Sequence, residues 1–225
     1  MLLLAADTSG KNGSIALATA SLSNDSVEVI EVVPLEGGNF SAQLVPQIAA
    51  LLARHRFSKN DIGAFIVVSG PGSFTGLRVG LAAIKGLAEI LGKPIATMSL
   101  LESLALISNL QGTVLTALDA GRNEIYAGEY EISGSSARAL REELLGKAEF
   151  LTKVRGAKLI TSEEKLAEAA RAVDVTVQVV PTIDAGAIAR LGSRKIKTGP
   201  TVSPEELDAN YIRRSDAEIF AKPGA

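Results

Sequence analysis

The chain has 225 residues, 47% of them apolar and 21% charged, which is enough to bury one large core or two smaller ones. Its net charge of −2 gives it no electrostatic pull on nucleic acid when it acts alone. With no cysteine and a single histidine, His55, disulfides, thiolate metal sites, a cysteine nucleophile and a multi-histidine metal centre are all excluded.

Leu2 to Ala6 reads as a buried first strand rather than a signal peptide: it is short, lacks a basic flank and runs into the polar turn Asp7-Thr8-Ser9-Gly10. Ser14 to Ala20 and Val27 to Pro34 alternate like strands, with Ser23-Asn24-Asp25 between them, so the chain opens as a meander. Ser41 to Arg56 has the period of an amphipathic helix whose stripe is Leu44, Ile48, Leu51 and Leu52. His55 falls at its end, a helix-terminal place rather than a catalytic one. Ala64 to Ser69 is a strand, and the helix Phe74 to Leu91 follows, with Gly92 as its cap.

Ile95 to Met98 is a short strand, and Ser99 caps a helix from Leu100 to Ser108, with Ser99 and Glu102 spaced as a capping box. Thr113 to Leu118 and Glu124 to Ile132 form a second strand–turn–strand opening, which suggests two related lobes. Arg138 onward reads as either a helix or a strand pair. It is followed by a strand at Lys158 to Thr161, a helix at Glu163 to Val173, a strand at Val175 to Val180 and a short helix at Asp184 to Gly192. The basic segment Arg190 to Lys197 is a solvated face, or else touches RNA or a partner; the tail from Pro204 is irregular or weakly helical. No apolar run approaches the ~20 residues that span a bilayer, so a cytoplasmic location with no membrane contact is expected.

The most informative stretch is Ser69-Gly70-Pro71-Gly72-Ser73-Phe74-Thr75-Gly76-Leu77-Arg78-Val79-Gly80. Gly72, Gly76 and Gly80 recur every four residues, so on a helix they leave a bare ridge. Glycine within a helix costs roughly 0.5–1 kcal/mol against alanine, which points to another backbone or a ligand coming very close. Either the helix packs tightly on its own sheet, or the ridge is a contact surface. The apolar width of this helix needs a second cover, from the helix Ser41 to Arg56 or from a partner. Asp7-Thr8-Ser9 after a strand is a turn able to face phosphates, and Asp119 also stands at a strand end. No Walker A or Gly-x-Gly-x-x-Gly loop occurs, and no convincing acid/base pair is visible.

Together these residues resemble the TsaB (YeaZ) family of tRNA threonylcarbamoyladenosine synthesis proteins. The resemblance covers the whole length. It rests on Asp7-Thr8-Ser9, on the Ser69 to Gly80 block continuing to Ala88, on Asp119-Ala120 with Glu124-Ile125-Tyr126, and on Tyr211-Ile212-Arg213. It implies an α/β actin-like ATPase (ASKHA) fold in two lobes, each with a mixed sheet and flanking helices. Residues 1–108 would be the first lobe and 109–204 the second, with the tail 205–225 returning onto the first.

The resemblance further implies a non-catalytic subunit that binds and activates a TsaD-type transferase, with a TsaE-type ATPase in the assembly and tRNA met only within it. The implied interface is Leu44, Ile48, Leu51, Leu52, Gly72, Phe74, Gly76, Val79, Gly80, Ala83 and Leu87, which also serves a homodimer. On that basis Gly76→Leu or Gly80→Leu should break pairing while the monomer stays folded. Asp7, Thr8, Ser9, Ser14 and Asp119 look like a vestigial nucleotide loop; ATP there is left open, and no metal or other cofactor is required. Two departures are Asn39-Phe40 before Ser41, where many relatives carry histidine, and Gly121 after Asp119-Ala120, where many carry arginine. The rival reading is an ATP-dependent kinase or ATPase using Asp7 and Asp119. Glycoprotease activity would find no cysteine, no metal-binding histidine set and no visible triad in this sequence.

Overall fold

A computed structural model describes residues 1–21, 23–24, 26–199 and 201–212. β1 (Leu2–Asp7), β2 (Gly13–Ala20) and β3 (Val27–Leu35) form the antiparallel meander, and every residue of β1 is buried. A strand that is apolar on both faces needs cover on both sides. α1 (Phe40–Arg54) and α2 (Phe74–Leu91) cover one face; β4 (Ile62–Gly70) and β5 (Ile95–Ser99) extend the sheet in parallel, giving the order β3-β2-β1-β4-β5. The ends of α2 are set locally. The Gly76 amide donates to the Ser73 hydroxyl at 3.3 Å, and Gly92 closes the helix at φ 62°.

α3 (Leu100–Ile107) leads into the second sheet: the hairpin β6 (Gly112–Gly121) and β7 (Glu124–Ser133), then β8 (Ser136–Gly146), α4 (Lys147–Lys153), β9 (Lys158–Thr161), α5 (Glu164–Arg171) and β10 (Thr176–Val179). Its order, β8-β7-β6-β9-β10, repeats the first sheet, with β6 in the place of β1 and the same antiparallel and parallel neighbours. The open choice after Arg138 is thereby settled as strand then helix.

The lobe boundaries differ from those expected. α6 (Ala185–Thr198) runs past Gly192 and packs on the first sheet, where Ala185, Ile188 and Ala189 join the core of β1 and β4. Conversely, Leu101, Leu104 and Ala105 of α3 belong to the second core. An amphipathic helix goes to whichever sheet face is uncovered, and chain order does not decide that. The basic segment Arg190 to Lys197 is therefore a side of α6. Lys195 is half-buried, donating to Glu102 at 2.7 Å and to the Thr97 carbonyl at 3.1 Å. Ser99 does cap α3, but the Glu102 carboxylate reaches Lys195, so the capping box is only half made. His55 closes α1 and sits 2.7 Å from Glu31, which also pairs with Arg54.

Residues 201–212 return along the first lobe as a strap. Val202 bridges Ile95, Leu207 is buried in the first core, and the Asn210 amide donates to the Ser69 carbonyl at 2.8 Å. Tyr211 then stacks on Phe74 at 4.9 Å while Arg78 donates to its hydroxyl at 3.0 Å. The part of the tail from 213 to 225 lies outside the described residues.

Candidate functional site

The turn after β1 is buried: Asp7, Thr8 and Ser9 are all nearly inaccessible, as is Ser14. Each of the hydroxyls expected to face a nucleotide is tied to the chain itself. Thr8 Oγ1 donates to the Gly76 carbonyl at 2.7 Å, and Ser9 Oγ donates to Asp7 Oδ1 at 2.5 Å. Ser14 Oγ accepts the Ala185 amide at the start of α6, at 2.8 Å. The Ser9 amide also donates to Asp7 Oδ1, and the Ser9 carbonyl accepts the Ser73 amide at 2.7 Å.

This turn is what the glycine ridge accommodates. A Cβ on Gly72 would lie 2.4 Å from the Ser9 carbonyl oxygen, one on Gly76 2.0 Å from that of Thr8, and one on Gly80 2.3 Å from Thr8 Oγ1. The close backbone was correctly anticipated, but it belongs to the same chain, so these three glycines are not a free docking surface. Gly76→Leu or Gly80→Leu would disturb the fold itself. The same correction applies to Leu44, Ile48, Leu51 and Leu52, which are buried in the first core. Phe74, Val79, Ala83 and Leu87 are half-buried.

What α1 and α2 present outward is a different set, half a turn away. α1 shows Ala42, Val45 (53% exposed), Pro46, Ala49, Ala50 and Ala53; α2 shows Ala82 and Ile90, the latter 76% exposed. The two helices touch; the exposed side of α1 is mostly small and apolar, whereas that of α2 also carries Thr75, Arg78 and Glu89.

Asp7 and Asp119 do come together, in the wall of a cleft of about 220 Å³ between the lobes. Their strands occupy equivalent places in the two sheets, so two carboxylates meet across the gap at corresponding strand ends. Burial pushes the Asp7 carboxyl above its ordinary range, against the lowering effect of the Ser9 hydrogen bonds. Glu163, just before α5, is a third wall carboxylate that the motifs did not mark. It accepts the Asp119 amide at 2.7 Å, and burial followed by the Asp119 charge raises its pKa. Asp119 Oδ1 accepts the Gly121 amide at 2.8 Å. Among the described residues no group of carboxylates or histidines is arranged to hold a metal ion.

A second polar group also joins the two lobes. Glu142 of β8 accepts from Ser99 Oγ at 2.6 Å, from Asn210 Nδ2 at 2.5 Å and from the Tyr130 hydroxyl. It fastens the second-sheet hairpin to the strap.

Two sheets of identical topology, each flanked by helices, with a cleft lined from both lobes, define an actin-like two-lobed protein. A solved structure described as YeaZ from Pseudomonas aeruginosa shares this fold, with a TM-score of 0.71, 22% identity and coverage of 93% of this chain and 99% of that one. The family model "TsaD: tRNA N6-adenosine threonylcarbamoyltransferase" matches residues 31–188, and the chain belongs to that family. Its curated relatives include the tRNA threonylcarbamoyladenosine biosynthesis protein TsaB of Bacillus subtilis, 35% identical over 132 residues, 58% of this chain and 56% of that protein. The Escherichia coli protein of the same name is 33% identical over 134 residues, 58% of this chain and 55% of that protein. The resemblance to TsaB (YeaZ) drawn from the motifs is upheld. The chain spans about half the length of the curated relatives it matches. Among the described residues no helix is long and apolar enough to cross a membrane.

Proposed function

We propose that this chain is a non-catalytic subunit in the synthesis of N6-threonylcarbamoyladenosine in tRNA, acting in the cytoplasm by docking a TsaD-type transferase on the outward face of α1 and α2. The observation that carries this reading is that α1 and α2, which pack together, expose the large apolar side chains Val45 and Ile90, with a run of exposed alanines on α1. Large apolar side chains left exposed on packed helices favour an interaction site. The family match and the TsaB names of the relatives supply the partner class. The same face serves a homodimer when the partner is absent, and a TsaE-type ATPase and tRNA join only the larger assembly.

The chain is co-expressed with a TsaD-type protein and the mixture resolved by size-exclusion chromatography. Val45→Asp and Ala82→Asp should each weaken the complex at least about 100-fold, since an unpaired charge would be buried in the contact. The monomer's stability should stay within about 0.5 kcal/mol, as for other exposed substitutions. A complex that survives both changes refutes the reading. The rival, an ATPase working through Asp7 and Asp119, has in its favour that both line one cleft. It requires ATP turnover by the purified chain that is lost in Asp7→Ala.

A further inference from the structure

The backbone passes between the lobes at α3 and returns on the way into α6; the strap of residues 201–212 adds a crossing held by side chains. Its two apolar anchors belong to different lobes. Leu207 is buried in the first core, whereas Ile212 packs against the second and borders Tyr126 of β7. The polar contacts repeat that division at a single residue. The Asn210 amide donates to the Ser69 carbonyl of β4 at 2.8 Å, and Asn210 Nδ2 donates to Glu142 of β8 at 2.5 Å.

The glycine-rich block holds an independent sign of this crossing. Gly70, at φ 142°, lies beneath it: a Cβ there would stand 2.6 Å from the Asn210 carbonyl oxygen. Its bare backbone lets the strap reach the corner where β4 turns toward α2. One residue further on, Tyr211 stacks on Phe74 with 25° between the rings, and the Arg78 guanidinium lies over both rings, 5.9 Å and 5.7 Å from their centres. Phe74 and Arg78 belong to the first turns of α2, and Arg78 is on its exposed side. Asn210 and Tyr211 are themselves exposed, and contacts at exposed positions open more readily than those of a core.

We infer that the strap is a releasable clasp between the lobes: latched, it fixes their relative position, and through Tyr211 it links that position to the start of α2. Releasing Asn210 and Ile212 frees the second lobe at β8 and leaves the strap attached to the first lobe by Val202 and Leu207. A partner seated on the exposed side of α2 covers Arg78 and Tyr211 together and so favours the latched state. By thermodynamic reciprocity the latched state then favours the partner by the same factor. This coupling rests on the docking proposed above; the clasp itself does not.

Because the chain has no cysteine, Lys59→Cys in the first lobe and Lys165→Cys in the second, both at exposed positions, accept spin labels cleanly. The distance between them is measured by double electron–electron resonance in the full chain, with folding checked by circular dichroism. Asn210→Ala, and more strongly Asn210→Ala/Ile212→Ser, should broaden the distance distribution at least about 1.5-fold. Val202→Ala, which loosens the strap on the first lobe alone, should leave it unchanged. The clasp is overturned if neither Asn210 variant broadens the distribution, or if Val202→Ala broadens it as much. Asn210→Ala alters neither α1 nor α2, so the coupling is read from its pairing with a TsaD-type protein, which should weaken about fivefold or more. Pairing equal to wild type overturns the coupling. If the wild-type chain does not pair at all, it is the docking proposal that fails, and the label distances still decide the clasp.

Discussion

Adding one methyl group at Gly76 separates the two explanations of the glycine ridge. In an open helix Gly→Ala stabilises by about 1 kcal/mol. At Gly76 the new carbon would meet the Thr8 carbonyl oxygen at 2.0 Å and its carbon at 3.2 Å, both backbone atoms of a buried strand end. Relieving that overlap means moving α2 off the turn, at about 1–3 kcal/mol for overpacking. It also strains the bond from Thr8 Oγ1 to the Gly76 carbonyl, whose buried partners would cost about 1–3 kcal/mol if left unmade. After subtracting the helix-propensity gain of about 1 kcal/mol, the expected loss is about 1–5 kcal/mol. Gly86 supplies the control on the same helix, because a Cβ there meets nothing within 4 Å. Gly86→Ala should stabilise by up to about 1 kcal/mol. Urea titration of both variants, followed by far-ultraviolet circular dichroism at low concentration, reads the difference directly. If Gly76→Ala is as stable as Gly86→Ala, the close approach to Thr8 is wrong and the ridge is open.

Asp7→Asn keeps an oxygen for the two Ser9 donors and removes a buried charge, so it should unfold at a higher temperature than wild type at neutral pH. The sign follows from the raised pKa of Asp7. The folded state holds the proton more tightly than the unfolded one, so wild-type stability rises as pH falls from neutral through the raised value, and levels off below the ordinary carboxylate range. Glu163 adds to the slope in the same direction, and Asp7→Asn should flatten it; an Asn variant less stable at neutral pH, or an unchanged slope, contradicts this reading. Tyr130→Phe removes a buried donor to Glu142 and should cost about 1–3 kcal/mol in chemical denaturation, and a neutral result would mean that Glu142 is held by Ser99 and Asn210 alone.

The elements that were legible from the sequence carry their own boundaries. α2 runs from Phe74 to Leu91 as read, because Ser73 and Gly92 act on neighbouring backbone. The second hairpin was visible because two strand patterns flank a turn, which is closed here by Arg122 and Asn123 at φ 52° and 62°. What was not legible depends on contacts distant in sequence. β8 is an edge strand with mostly exposed residues, so its pattern carries little periodicity. The second half of α6 and its choice of the first sheet follow from a face left uncovered by other elements. In the site, two strand-end carboxylates could be found from their position after buried strands. Glu163 could not, since it reaches Asp119 across 44 residues of chain. The leucine stripe of α1 was read correctly as a burying face and assigned to the wrong partner. Periodicity says that a face is covered, and only the tertiary fold says by what.

The bond from Thr8 to the Gly76 carbonyl, and that from the Ser73 amide to the Ser9 carbonyl, have a mechanical consequence. They rivet the barrel of one helix to the very loop whose first residue, Asp7, walls the opposite hollow. A push that slides or tilts that helix from outside drags Thr8 and Ser9 with it and so re-aims the Asp7 oxygen. Outer skin and inner chamber are geared together by three residues without side chains.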